Sequence, residues 1–191
     1  MSSFIFEKLD LCDVVLIKST AYDDLRGGFV KTFEKNIFLN NRISFNICEE
    51  FFSISHKNVL RGLHFQYCNP QAKLVTVLEG EVDDVIVDLR CNSLTYLKSA
   101  KIKLSSENHA ILYIPKGFAH GFLSRKDNTI MLYMCDGEYD IKSDGGIKYD
   151  DNSLNIDWEI NKSEIIMSDK DLNLLTYEQF RLIKDKDKIF G

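Results

Sequence analysis

KLVTVLEGEVDDVIVDLR, Lys73 to Arg90, holds two apolar, β-branched runs interrupted at Gly80. Lys73, Val75 and Val77 fall on one face of the first run. Asp84, Ile86 and Asp88 fall on one face of the second, which is the period of strands and not of a helix. The pattern recurs on both sides, in ISFNI and FFSIS before it and in AKIKL, AILYI and IMLYMC after it, all between residues 43 and 135. Loops of Asn, Gly, Ser and charged residues separate these runs. Many short strands at such spacing predict an antiparallel sandwich, barrel or jelly roll. Helical signals lie only at the two ends. FEKNIFLNN, from Phe33, reads as a short helix, and Thr176 with Gln179 reads as a capping box opening a C-terminal helix through about residue 188. Two prolines, no repeat and no low-complexity stretch predict one domain over residues 1–191. Its β core is expected at about residues 43–140, with a helical segment at about 172–190.

The composition is that of an ordinary globular chain, with a net charge of −5 that gives no electrostatic reason to bind nucleic acid or an anionic membrane. Any phosphate must therefore be held by local cations. MSSFIFEKLD has no basic leader and no long apolar run, and no stretch reaches the ~18 apolar residues of a membrane span, so a cytoplasmic location is expected. Five cysteines without a CxxC pair read as reduced structural thiols.

VLRGLHFQ, Val59 to Gln66, sets Arg, His and Gln in an apolar strand. Strict alternation sends Arg61 and His64 to opposite faces, unless Gly62 carries a bulge that re-aims one of them. Taken alone, His64 reads first as a hydrogen-bonded core histidine. Lys73, Asp84 and Asp88 are costly if their faces point inward, unless paired or functional, and unremarked if they face solvent. His120 lies in the Gly-flanked IPKGFAHGF. Tyr133 shares a strand face with Met131 and Cys135, which alone means packing. SDKD, Ser168 to Asp171, alone is a solvated turn. Four histidines, His56, His64, His109 and His120, form no HxH pair, and neither a metal site nor a cofactor is predicted.

Taken together the motifs are specific. LRGGF (Leu25 to Phe29), VLRGLHFQ, QAKLVTVLEGEVDDVIVDLR, SLTY, YIPKGFAHGF, LYMCDGEY, GGIKYDDNSLNIDW and SDKD follow one another from about residue 20 to 171. In this order and spacing the chain resembles the dTDP-4-dehydrorhamnose 3,5-epimerase family, which inverts carbons of nucleotide-linked 4-keto sugars. The resemblance implies a cupin-like jelly roll acting as a homodimer on a dTDP- or GDP-linked 4-keto sugar, in deoxysugar or heptose synthesis for a surface polysaccharide. It implies His64 as base, Asp171 as the carboxylate that orients it, and Tyr133 as acid. Lys73 matches a lysine near the C4 oxygen. Arg61, His120, Tyr139 and Lys170 match positions around sugar and diphosphate, and Arg26 and Phe29 match nucleotide contacts supplied by the partner subunit.

The chain departs from the family in three places. Glu49 and Phe51 stand where the family often has Gln and Asn near the sugar, and Lys31 stands where a glutamate is usual. These departures keep three alternatives open: C3-only inversion, a GDP-linked 4-keto heptose as substrate, and a 3,4-ketoisomerase on a related barrel. A silent sugar-nucleotide-binding barrel competes less well, since base, orienting carboxylate and acid are all present.

Overall fold

In a computed structural model, residues 4–183 are described. Two antiparallel sheets face each other. One takes its strands in the order β1 (Phe4–Lys8), β2 (Val15–Ser19), β10 (Ala110–Ile114), β7 (Lys73–Glu79), β12 (Thr129–Cys135), β5 (Glu49–Ser55). The other runs β13 (Asp144–Gly146), β6 (Leu60–Gln66), β11 (Phe118–Ser124), β8 (Glu81–Asp88), β9 (Ser99–Ser105). The sheets do not close on each other, and the architecture is a cupin-like jelly roll. The hairpin of β3 (Ala21–Asp24) and β4 (Gly27–Val30) stands apart from both.

Lys73 to Arg90 forms the corner of the roll. β7 and β8 belong to different sheets, and the turn between them is Gly80, at φ +84°. A side chain there would put its Cβ 2.9 Å from the Thr129 Cα, so both the backbone angle and the space require glycine. Val75, Val77, Val82 and Ile86 point inward with Leu112, Phe122 and Met131. The outer faces are covered as well. Phe38 on α1 (Lys35–Asn40), with Ile43 and Phe45, covers Leu74, Ile111 and Met134. Leu154, Trp158, Tyr177 and Phe180 cover Leu63, Val85, Val87 and Leu123. With both faces covered, β11 is buried at every position, His120 and Ser124 included.

Two expectations are corrected, and a third falls partly outside the described residues. The jelly roll starts at Phe4 and not near residue 43, because β1 and β2 are two strands of the first sheet. ISFNI is not a strand; Ile43 and Phe45 are instead drawn against the α1 face. The C-terminal helix α3 is described over Tyr177–Ile183, and its expected continuation to residue 188 or 190 lies outside the described residues. The capping box does form: the Gln179 backbone N–H donates to Thr176 Oγ1 at 3.2 Å and the Gln179 side chain accepts from Thr176 N at 3.0 Å. Among the described residues no helix is long and apolar enough to cross a membrane.

Candidate active site

Residues of both sheets line a cavity of about 520 Å³, a size typical of small-molecule sites. Its first wall is a grid fixed by strand register. Glu49, Cys135 and Lys73 lie abreast on β5, β12 and β7, and Phe51, Tyr133 and Val75 form the next row. Directly opposed residues share a face, so this register alone gathers Glu49, Lys73, Phe51 and Tyr133 into the cavity. The second wall is β6 and β11, where His64 and His120 are direct register partners.

Gly62 decides how β6 contributes. His120 pairs with His64 but Phe122 with Arg61, so two steps along β11 span three along β6. The extra residue is a bulge, with Gly62 at φ +118°. A Cβ on Gly62 would fall 2.6 Å from the Gly121 Cα and 2.8 Å from the His120 carbonyl oxygen. The bulge cancels strict alternation: Arg61 and His64 both reach the cavity, while Leu60 and Leu63 pack outward.

Asp171 arrives from the far end of the chain. The Leu60 N–H donates to the Ile166 carbonyl at 2.9 Å, pinning the segment after residue 160 along β6. The helical turn α2 (Asp169–Leu172) follows, and its N-cap Ser168 accepts from the Asp171 N–H. This sets Asp171 Oδ1 2.8 Å from His64 Nε2. Burial alone would raise the Asp171 carboxyl. The hydrogen bond and charge of His64, the Gly62 N–H and Ser168 outweigh it and hold the group below its ordinary range. The other ring nitrogen, His64 Nδ1, is buried and has no hydrogen-bond partner among the described residues. In the neutral form of the ring, an Nε2–H donated to Asp171 leaves the lone pair on Nδ1.

Tyr133 reaches the same cavity from the opposite sheet. Burial pushes its phenol far above the usual range, against the pull of Ser53, whose Oγ is 3.4 Å away. The ring of Phe51 stacks on it at 4.7 Å and 13°. Lys73 is half-buried on the cavity floor. Burial lowers its pKa, while the Asp144, Glu49 and Asp84 carboxylates oppose the change. Cys135 beside it is pushed up by burial to about 11, so at neutral pH it is a thiol without nucleophilic character.

Of the residues singled out from sequence, Glu49, Phe51, Arg61, His64, Lys73, His120, Tyr133, Tyr139, Lys170 and Asp171 line this one cavity. Arg26 and Phe29 do not. They sit on the exposed β3–β4 hairpin, where Arg26 is ion-paired to Asp24 at 2.6 Å. Lys31 is likewise paired with Glu34, at 2.6 Å. Asp84, costly if turned inward, is turned inward and paired, while Asp144 and Gln71 carried no signal in the sequence. Asp84 binds His120 at 2.8 Å, and Asp144 accepts from both Lys170, at 2.6 Å, and Tyr139, at 3.1 Å. Gln71 donates to Glu49 at 3.3 Å. Asp88, flagged with Asp84, serves the fold: Arg90, Ser93 and Thr95 all donate to it.

Comparison with known proteins gives one answer. The family profile described as dTDP-4-dehydrorhamnose 3,5-epimerase matches residues 8–179. A curated protein of that name from Methanothermobacter thermautotrophicus is 43% identical over 91% of this chain and 94% of its own. The crystal structure of dTDP-6-deoxy-D-glucose-3,5-epimerase from Legionella pneumophila, in complex with dTDP-4-keto-L-rhamnose, superposes with a TM-score of 0.90 at 34% identity over 97% of each chain. A 3′-monoepimerase from Streptomyces bikiniensis, crystallised with dTDP-quinovose, gives 0.84 at 25% identity over 92% of this chain and 89% of its own.

Proposed function

The chain belongs to the dTDP-4-dehydrorhamnose 3,5-epimerase family, and from that premise we propose that it inverts C3 and C5 of a dTDP-linked 4-keto-6-deoxyhexose. One observation carries the mechanism. A His–Asp pair and a buried phenol enter a single cavity from opposite sheets. A C–H bond beside a ketone is weakly acidic, because the electron pair left behind delocalises onto oxygen. Breaking it needs a base within reach and positive charge at that oxygen. His64 takes the proton on its imidazole, and Asp171 holds the ring and stabilises the imidazolium. The Lys73 ammonium faces the enolate oxygen. Tyr133 then gives its proton to the opposite face of the same carbon, which inverts the centre. Its phenolate regains a proton from solvent and His64 returns one, so no electrons are exchanged with a cofactor. The raised pKa of Tyr133 suits a donor, since the phenol stays protonated at neutral pH.

The diphosphate is held by Arg61, at the mouth, and by Lys170. Arg61 is exposed and tied to the Ser55 hydroxyl and the Ile54 carbonyl, both at 3.2 Å, which leaves its fork turned to the opening. The β3–β4 hairpin exposes Tyr22, Leu25 and Phe29, and we assign it to a partner subunit, so that Arg26 and Phe29 complete the nucleotide site of a homodimer. Thymidine diphosphate is favoured over a guanosine-linked heptose by the names of the relatives. The five free cysteines suit the cytoplasm.

Incubation with a dTDP-linked 4-keto-6-deoxyhexose in D2O, followed by NMR, tests the reading. Loss of both the C3 and C5 protons is expected. Loss at neither carbon would overturn it. Phe51 favours a second outcome, C3-only inversion, because it replaces a polar contact with an apolar ring beside the acid; exchange at C3 alone identifies it.

A further inference from the structure

Phe51 and Tyr133 are directly opposed on the outermost pair of strands in the first sheet. Among the described residues β5 has no strand beyond it, and on that side the Tyr133 ring meets groups that β5 supplies. Two groups of β5 touch the phenol. Phe51 lies nearly parallel to it at 4.7 Å, and the Ser53 hydroxyl meets its oxygen at 3.4 Å, a long hydrogen bond. On the far side the His120 ring meets it at 6.1 Å and 66°. Tyr133 is 7% exposed although it stands next to the edge, while Phe51 is 43% exposed at the cavity mouth. The ring of Phe51 therefore covers one face of the phenol at the cavity mouth.

From this we infer that Phe51 is a positioning residue for the proton donor: its stacked ring fixes the plane of the Tyr133 phenol and keeps water from its hydroxyl, so that the proton goes to the sugar carbon. The inference rests on the reading of Tyr133 as the acid. Stacking constrains a flat partner more than its area alone does, and a donor displaced by about an ångström loses much of its rate. Removing Phe51 should spare abstraction, which belongs to the opposite sheet, and slow reprotonation.

The experiment separates those two steps. With a dTDP-linked 4-keto-6-deoxyhexose in D2O, wash-in of deuterium reports abstraction and appearance of the new epimer reports inversion. For Phe51→Ala, wash-in should stay within about 3-fold of the parent while kcat for inversion falls about 10-fold or more. Phe51→Tyr should restore the ratio, and Phe51→Leu, apolar but not flat, should fall between. Tyr133→Phe should lose inversion in the same assay. Parallel loss of wash-in and inversion in Phe51→Ala, or a higher KM with an unchanged ratio, makes Phe51 a substrate contact only and overturns the inference. Normal inversion by Tyr133→Phe overturns the acid assignment itself. Phe51 is partly exposed on an edge strand, so the Leu variant keeps the test open if Ala alters the melting curve.

Discussion

The cavity wall holds two His–Asp pairs side by side. His64 and Asp171, and His120 and Asp84, are each joined from Nε2 to a carboxylate oxygen at 2.8 Å, and the two imidazoles are register partners on neighbouring strands. They differ in how they are built. Asp84 is a strand residue, 0% exposed, and its second oxygen has no partner among the described residues; its histidine is 5% exposed. Asp171 comes on a helical turn with Ser168 and the Gly62 N–H feeding its charge, and its histidine side chain is 28% exposed to the cavity. One pair is closed, tying β11 to β8. The other is open and well solvated by the protein's own donors. A His–Asp pair becomes a base only when a ring nitrogen can meet a substrate and the imidazolium, once formed, has a stable anion behind it.

The largest effect that tests this contrast is His64→Asn. We expect deuterium wash-in to fall by roughly 10⁴-fold, with no change in melting temperature beyond a few degrees. Wash-in surviving in that variant moves the base elsewhere, with His120 the first alternative. Next come the carboxylates, compared as amides. Asp171→Asn can donate to Nε2, which forces the proton onto Nδ1 and leaves no lone pair for the substrate. A loss on the order of 10³-fold in wash-in is expected. Asp84→Asn still accepts from His120, and the loss should stay under about 10-fold. Equal losses for the two amides would erase the distinction between open and closed pairs. On stability the order should reverse when the partner is removed outright. Asp84→Ala leaves a buried imidazole nitrogen unpaired, at a cost of about 1–3 kcal/mol measurable by urea unfolding.

Half of this contrast was legible from sequence, and the reason is local periodicity. The faces of KLVTVLEG and EVDDVIVDL are set by the period-two pattern, which put Lys73 and Asp84 each on one face before any partner was known. Which sheet each strand joined was not legible, because Gly80 could open a hairpin as readily as a corner. Register across β12, β5 and β7 then gathers Glu49, Phe51 and Tyr133, and no pattern within one strand encodes register. FIFEK and VLIKS were missed because they are short and lie on either side of a polar turn around Asp10 to Asp13. ISFNI misled because its apolar residues plug a face without entering a ladder. His64 and Asp171 are far apart in sequence; only the resemblance linked them, and it carried no comparable hint for Asp84 or Asp144.

The smallest expected effect is also the one that isolates the open pair from all substrate chemistry. Asp171 is buried, and its carboxyl is held below the ordinary 3.8 in the folded chain, since the donors around it outweigh desolvation. As pH falls, the unfolded chain therefore takes up this proton first. The stability linked to Asp171 is fully present above about 3.8 and is lost as the pH drops through the lower folded value. The asparagine variant has no such proton to bind. Urea unfolding of the parent and of Asp171→Asn should thus show a gap at pH 7 that narrows only below about pH 4. If the gap persists unchanged at the lowest pH where both still fold, the carboxylate is not held by charge. Asp171 would then be joined to His64 by shape and packing, as a closed pair would be.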